Sequence, residues 1–136
     1  MEKAEKVWIF IEDQYVRFGE NLTREDYKSV IDLVYDIIGN ISNLYLLLEK
    51  NYFSTDKGKL LNTLQEMYKV GVFSEDYSKF FKEKWRLRNL AKYGFFSAEG
   101  IEEIKIEKSE VVDLFNNMKK LFSEFSLYRN KGVKTL

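Results

Sequence analysis

The sequence predicts an all-α fold, an antiparallel bundle of about five helices, and three observations predict it. Apolar residues recur at spacings of three and four along most of the chain. No proline is present to break a helix. The connections between periodic segments are short, which sets neighbouring helices antiparallel. With 136 residues, 45% apolar and 32% charged, the chain has the length of one domain and the composition of a folded one. The expected division is a single bundle over residues 1–128 and a frayed basic tail over 129–136.

The first helix is expected from about Lys3 to Gly19, with Val7, Phe10, Ile11, Gln14 and Phe18 on its inner stripe. Thr23 offers an N-cap for the second helix, with Asp26 at the third helical position as an acidic variant of the capping box. That helix is long, from Arg24 to about Tyr52. Its apolar residues (Tyr27, Val30, Ile31, Val34, Ile37, Ile38, Ile41, Leu44, Tyr45, Leu48) form the clearest pattern in the chain. Residues 54–58 read as a loop. A third helix carries Leu60, Leu61, Leu64, Met67 and Val70, and Gly71 ends it. Ser74 is placed to cap a fourth helix reaching Phe96. The stretch from Ser97 to Lys108 is irregular, with a short extended piece around Ile104 and Ile106. Ser109 then caps a fifth helix bearing Val112, Phe115, Met118, Leu121, Phe122 and Phe125.

Composition removes several kinds of chemistry. There is no cysteine, so disulfides, thiolate metal sites and thiol nucleophiles are excluded. There is no histidine, the commonest general base near neutral pH and a frequent metal ligand. No metal and no cofactor are expected. Glycine-rich phosphate loops and nucleophile elbows are also missing. The 22 basic and 22 acidic residues balance, so any attraction to a charged partner is local. No apolar run approaches the roughly 20 residues of a membrane span, and no signal peptide is visible, so a soluble, cytoplasmic protein is expected.

The fourth helix carries the local charge. Between Lys79 and Lys92 lie Lys79, Lys82, Lys84, Arg86, Arg88 and Lys92, against the single acid Glu83. Such a stretch suits phosphates, and aromatic residues beside it suit stacking on bases. The bland alternative is a solvated charged face. At about 100° per residue, Tyr77, Phe80, Leu87, Ala91 and Gly94 share one side, and Trp85, Asn89, Tyr93 and Phe96 share the other. Aromatic residues on an outer side mark a contact surface, unless another helix of the same chain covers them. Arg88 lies at the flank between the two faces, its stem inward and its head free to reach out.

The segment Lys59–Phe96, KLLNTLQEMYKVGVFSEDYSKFFKEKWRLRNLAKYGFF, resembles the HEPN (higher eukaryotes and prokaryotes nucleotide-binding) superfamily, in particular small prokaryotic members of the HepT type. Arg88 and Asn89 match the family's Arg–polar pair, and Gly71, Val72 and Phe73 match the turn before it. Tyr93 stands where the family has histidine, and Phe95 where its motif has tyrosine. The resemblance covers roughly Arg24 to Phe125 by pattern.

It implies a homodimer packed through the fourth helix, with Trp85, Asn89, Tyr93 and Phe96 at the interface. A groove there would use Arg88, Asn89, Lys92, Arg86 and Lys84 to hold RNA, a nucleotide or a partner minimal nucleotidyltransferase, in a toxin–antitoxin-like pair. Active members cut RNA without a metal, histidine moving the proton and arginine stabilising phosphate charge. Tyrosine, with an ordinary pKa of about 10, is a poor base at neutral pH, so a catalytically degenerate binding protein is expected from the motif Arg88, Asn89, Tyr93. Two alternatives stand beside it: a metal-independent ribonuclease toxin working with Arg88 and Tyr93, and an adaptor that binds only protein.

Overall fold

The computed structural model describes residues 3–52, 57–93, 96–97, 100–101 and 106–134, and within them the chain is an all-α helical bundle. Six helices occur among the described residues: α1 (Lys3–Thr23), α2 (Tyr27–Lys50), α3 (Lys57–Lys69), α4 (Tyr77–Glu83), α5 (Trp85–Tyr93) and α6 (Lys108–Lys134). The described extended backbone is one two-residue antiparallel bridge, Phe96–Ser97 against Gly100–Ile101. It lies earlier than the extended piece expected around Ile104, a residue outside the described ones.

α2 is the axle of the fold. Val30, Ile31, Val34, Ile37, Ile38, Ile41 and Leu44 are almost fully buried, and α1, α3, α5 and α6 all pack on it. It is the one helix among those described that is long and apolar enough to cross a membrane, but its apolar sides are covered by those four neighbours. α1 folds back on α2 as a hairpin, while a ladder of rings joins it to α6. Tyr15 stacks on Phe122 at 4.1 Å, Trp8 on Phe122 at 5.3 Å, and Phe18 on Phe115 at 4.5 Å, each pair within 15° of parallel.

Several boundaries differ from expectation, each for a local reason. α1 runs on to Thr23, whose hydroxyl donates back to the Gly19 carbonyl (3.0 Å) instead of capping the next helix. Asp26 is the N-cap of α2, its carboxylate accepting the Ser29 N–H (3.3 Å) and the Ser29 hydroxyl (2.8 Å). Asp76, not Ser74, caps α4 by accepting the Ser78 N–H at 3.0 Å. In α1 Ile11, Gln14 and Phe18 of the expected stripe are buried, but Trp8 turns inward and Phe10 is left about half exposed. Val70 and Leu48 are likewise exposed. In α6 the inner line is Val111, Leu114, Met118, Leu121 and Phe125, with Phe115 and Phe122 at its edge. α6 continues through Lys134, so the segment expected to fray is helical to that point. Arg129 there pairs with Glu5 and lies over the Trp8 ring, tying α6 to α1.

α3 ends as Gly71 predicts. Gly71 has φ +86°, and the Val72 N–H reaches back to the Met67 carbonyl at 2.9 Å, closing the helix with a left-handed residue. That turn drives Phe73 into the core.

The largest correction concerns the expected fourth helix, which is two helices broken at Lys84. Lys84 caps α4 with its N–H on the Phe80 carbonyl, and α5 restarts with the Leu87 N–H on the Lys84 carbonyl. Of the adjacent pair Phe80 and Phe81, it is Phe81 that is buried. This turns the inner face by one residue, about 100°, and carries Trp85 and Arg88 to the inside along with Leu87.

Candidate functional site

The turned α5 places Arg88 against α2. Tyr35 of α2 donates its hydroxyl to the Phe81 carbonyl at 2.9 Å, satisfying a helix-end acceptor at the α4–α5 break. The Trp85 ring stands edge-on to Tyr35 at 5.1 Å, and the Arg88 guanidinium lies over the Trp85 ring at 4.8 Å. Phe81 also meets Tyr35 edge-on, at 5.9 Å. Arg88 thus packs on the Trp85 ring and is only 9% exposed. Among the described residues it makes no ion pair and no hydrogen bond.

The remaining exposure opens into a groove of about 440 Å³ between α1, α2, α3 and α5. Its lining mixes apolar side chains (Phe10, Leu46, Leu60) with three amides, Gln14 from α1 and Asn40 and Asn43 from α2, the Asn40 side chain donating to the Gln14 carbonyl oxygen at 2.8 Å. Lys59 adds a second cation from α3, and Asp36 an acid from α2. Ser42 is 2% exposed, and its hydroxyl has no hydrogen-bond partner among the described residues, although it lines this groove. A buried hydroxyl is nearly always satisfied, which sets this one apart among the described residues. Gly39, mid-helix, leaves the groove unobstructed there, since a Cβ at that position would meet nothing within 4 Å.

The residues singled out in the sequence separate in space. Arg88 and Trp85 enter the groove. Arg86 points the other way and pairs with Glu110 of α6 at 3.2 Å. Lys84 is the half-buried cap of α4, and Asn89 is exposed outside the groove lining. Tyr93 closes α5, but its side chain, like those of Lys92 and Phe96, lies outside the described part of the chain. Trp85 thus packs within its own chain and does not form an outward aromatic face with Asn89. Sequence reasoning missed Gln14, Asn40, Ser42, Asn43 and Lys59 as groove residues. A signal was present: Asp36, Gly39, Asn40 and Asn43 follow helical spacing on one side of an otherwise apolar helix.

Burial holds the Tyr35 phenol protonated well above its ordinary pKa of 10.0, with the nearby Arg88 charge opposing it in part. Tyr77 and Tyr128 are raised too, first by burial and then by hydrogen bonds to Glu124 and Glu49. Because the folded state holds these protons and the unfolded chain releases them near pH 10, stability is full below that pH and falls as pH rises above it. Alkaline denaturation followed by helical circular dichroism should therefore begin near pH 10. Tyr35→Phe should flatten that fall while lowering stability at neutral pH by about 1–3 kcal/mol, the cost of leaving the buried Phe81 carbonyl unpaired.

No family model, no curated protein and no solved structure matches this chain.

Proposed function

We propose that this protein works by binding, and that the Arg88 groove holds a phosphate-bearing ligand with a planar base, a nucleotide or a stretch of RNA. The observation that carries the reading is a nearly buried guanidinium, without an acid pairing it among the described residues, stacked on Trp85 and facing a groove whose lining includes three amides. Guanidinium suits phosphate oxygens, amides suit the edges of a base, and the cation of Lys59 adds to the same field.

The HEPN resemblance supports the same reading, with Arg88 as the phosphate residue and Tyr93 in the histidine's place. It further suggests a homodimer and a minimal nucleotidyltransferase partner in a toxin–antitoxin-like pair. The dimer seam along α5 has weaker support than its sequence suggested, because Trp85 packs on Tyr35.

The test is calorimetric titration of the protein with nucleoside monophosphates and a short single-stranded RNA. Arg88→Ala should weaken binding by about 10- to 100-fold, the range of a charge-assisted hydrogen bond, and should reduce the salt dependence of what remains. Thermal unfolding of the same variant checks that the fold persists. Unchanged affinity and salt slope would overturn the reading. So would chelator-resistant RNA cleavage lost in both Arg88→Ala and Tyr93→Phe, which indicates a ribonuclease. Purification with a protein partner and no affinity for any phosphate compound would indicate an adaptor.

A further inference from the structure

We infer that the outer face of α1 is a two-fold interface with a second copy of this chain, the two α1 helices crossing antiparallel about Asp13. Lys6, Ile9, Asp13, Val16 and Glu20 repeat at three and four along the side of α1 that faces away from the core, and all are exposed. Ile9, Phe10 and Val16 are 46%, 52% and 60% exposed, three bare apolar side chains on one helix. A run of this kind on a helix that already buries its other face marks a contact surface.

Charge selects both the occupant and the direction. Lys6 stands at one end of the stripe and Glu20 at the other, and neither has an ion pair among the described residues. A parallel copy sets lysine on lysine and glutamate on glutamate. An antiparallel copy about Asp13 sets Lys6 against Glu20 twice, by symmetry, and lays Phe10 of one copy against Val16 of the other. The centre brings two Asp13 side chains together, each held by its own Arg17 at 3.0 Å. A patch complementary to itself under two-fold rotation is what a closed dimer requires.

Phe10 also lines the Arg88 groove, so this seam runs along the groove's lip. The inference does not depend on what the groove binds.

Sedimentation equilibrium of the full chain, without ligand, tests it over a range of concentrations. A single seam of one helix pair is at the small end of specific interfaces, so a reversible dimer with a dissociation constant on the order of micromolar to tens of micromolar is expected. Val16→Glu should raise that constant by about tenfold or more. Lys6→Glu and Glu20→Lys should each weaken the dimer, and the two together should restore it, because reversal of both charges recreates the pair. These residues are exposed, so the helical signal should be unchanged in every variant. A monomer at all concentrations, a dimer indifferent to Val16→Glu, or a double reversal that fails to restore association would overturn the inference. Phosphate binding by such a monomer would leave the groove reading standing, and a dimer without phosphate binding would leave the α1 seam standing.

Discussion

Replacing Phe81 by alanine is expected to destabilise the fold by about 3–5 kcal/mol, the range for removing a fully buried aromatic ring. Phe81 is 1% exposed and meets the rings of Tyr35, Phe80 and Tyr77. The loss therefore combines burial, a cavity and several ring contacts. Chemical denaturation with the helical signal as readout measures it. Phe80→Ala is the control: Phe80 is only partly buried, and its loss should cost distinctly less. Equal effects at the two positions would mean that the inner face of α4 has been placed one residue out. The same comparison reports on Arg88, because the choice of Phe81 over Phe80 is what brings Arg88 inside.

Glu124→Ala is the second change with a large expected effect, although Glu124 is a half-exposed acid on α6. Its carboxylate accepts the Ser74 N–H at 3.0 Å, the Ser74 hydroxyl, and the Tyr77 hydroxyl at 3.0 Å. Tyr77 has no exposed surface overall. Removing the acid leaves the phenol and a loop amide without their acceptor, just where the chain leaves the Gly71 turn and enters α4. A surface carboxylate is ordinarily worth little, but hydrogen bonds to a charged group near buried donors contribute about 1.5–3 kcal/mol. We expect a total loss of about 2–3 kcal/mol on that basis. A double-mutant cycle with Tyr77→Phe should show coupling of about 1 kcal/mol or more. Additive effects would show that Ser74 alone carries the latch.

Much of the bundle was legible because its helices obey one period. Every α2 residue from Val30 to Leu44 placed on the apolar stripe is buried, since a helix surrounded by four others shows its spacing without interruption. The caps were less legible. Thr23 and Ser74 have the right chemistry for an N-cap, but Asp26 and Asp76 stand closer to the helices they start, and the backbone continues until it reaches them. The break at Lys84 has no signature at all, for residues 82–85 contain neither glycine nor proline. It becomes intelligible only through Tyr35, a residue 46 positions away from the carbonyl it satisfies.

The candidate site was half legible. Arg88 stood out by its place at the flank of a helix, and it lines the groove. Local charge density drew in Arg86, although residues two apart on a helix face nearly opposite ways, and Lys84, which caps α4 at the break. The other walls of the groove come from α1, α2 and α3, and no short window of sequence contains them together. Trp8 and Phe10 were exchanged for a related reason. Phe10 keeps the spacing of three and four with Val7 and Gln14, and Trp8 keeps it with Ile11 and Tyr15, so two adjoining stripes are offered and the rings of α6 select Trp8.

The division at Lys84 leaves two segments of seven and nine residues, each too short to persist as a helix unaided. Whatever order α5 has is borrowed from α2 through Trp85, Leu87 and Arg88. A fluctuation that frees this segment would release the guanidinium while the long helices stay assembled, at a free energy below that of complete unfolding. The arginine thus sits on a short helix held mainly by its packing on α2. A ligand that bridged it to Asn40 or Lys59 would fasten that stretch down, so occupancy should be visible as slowed amide hydrogen exchange along α5.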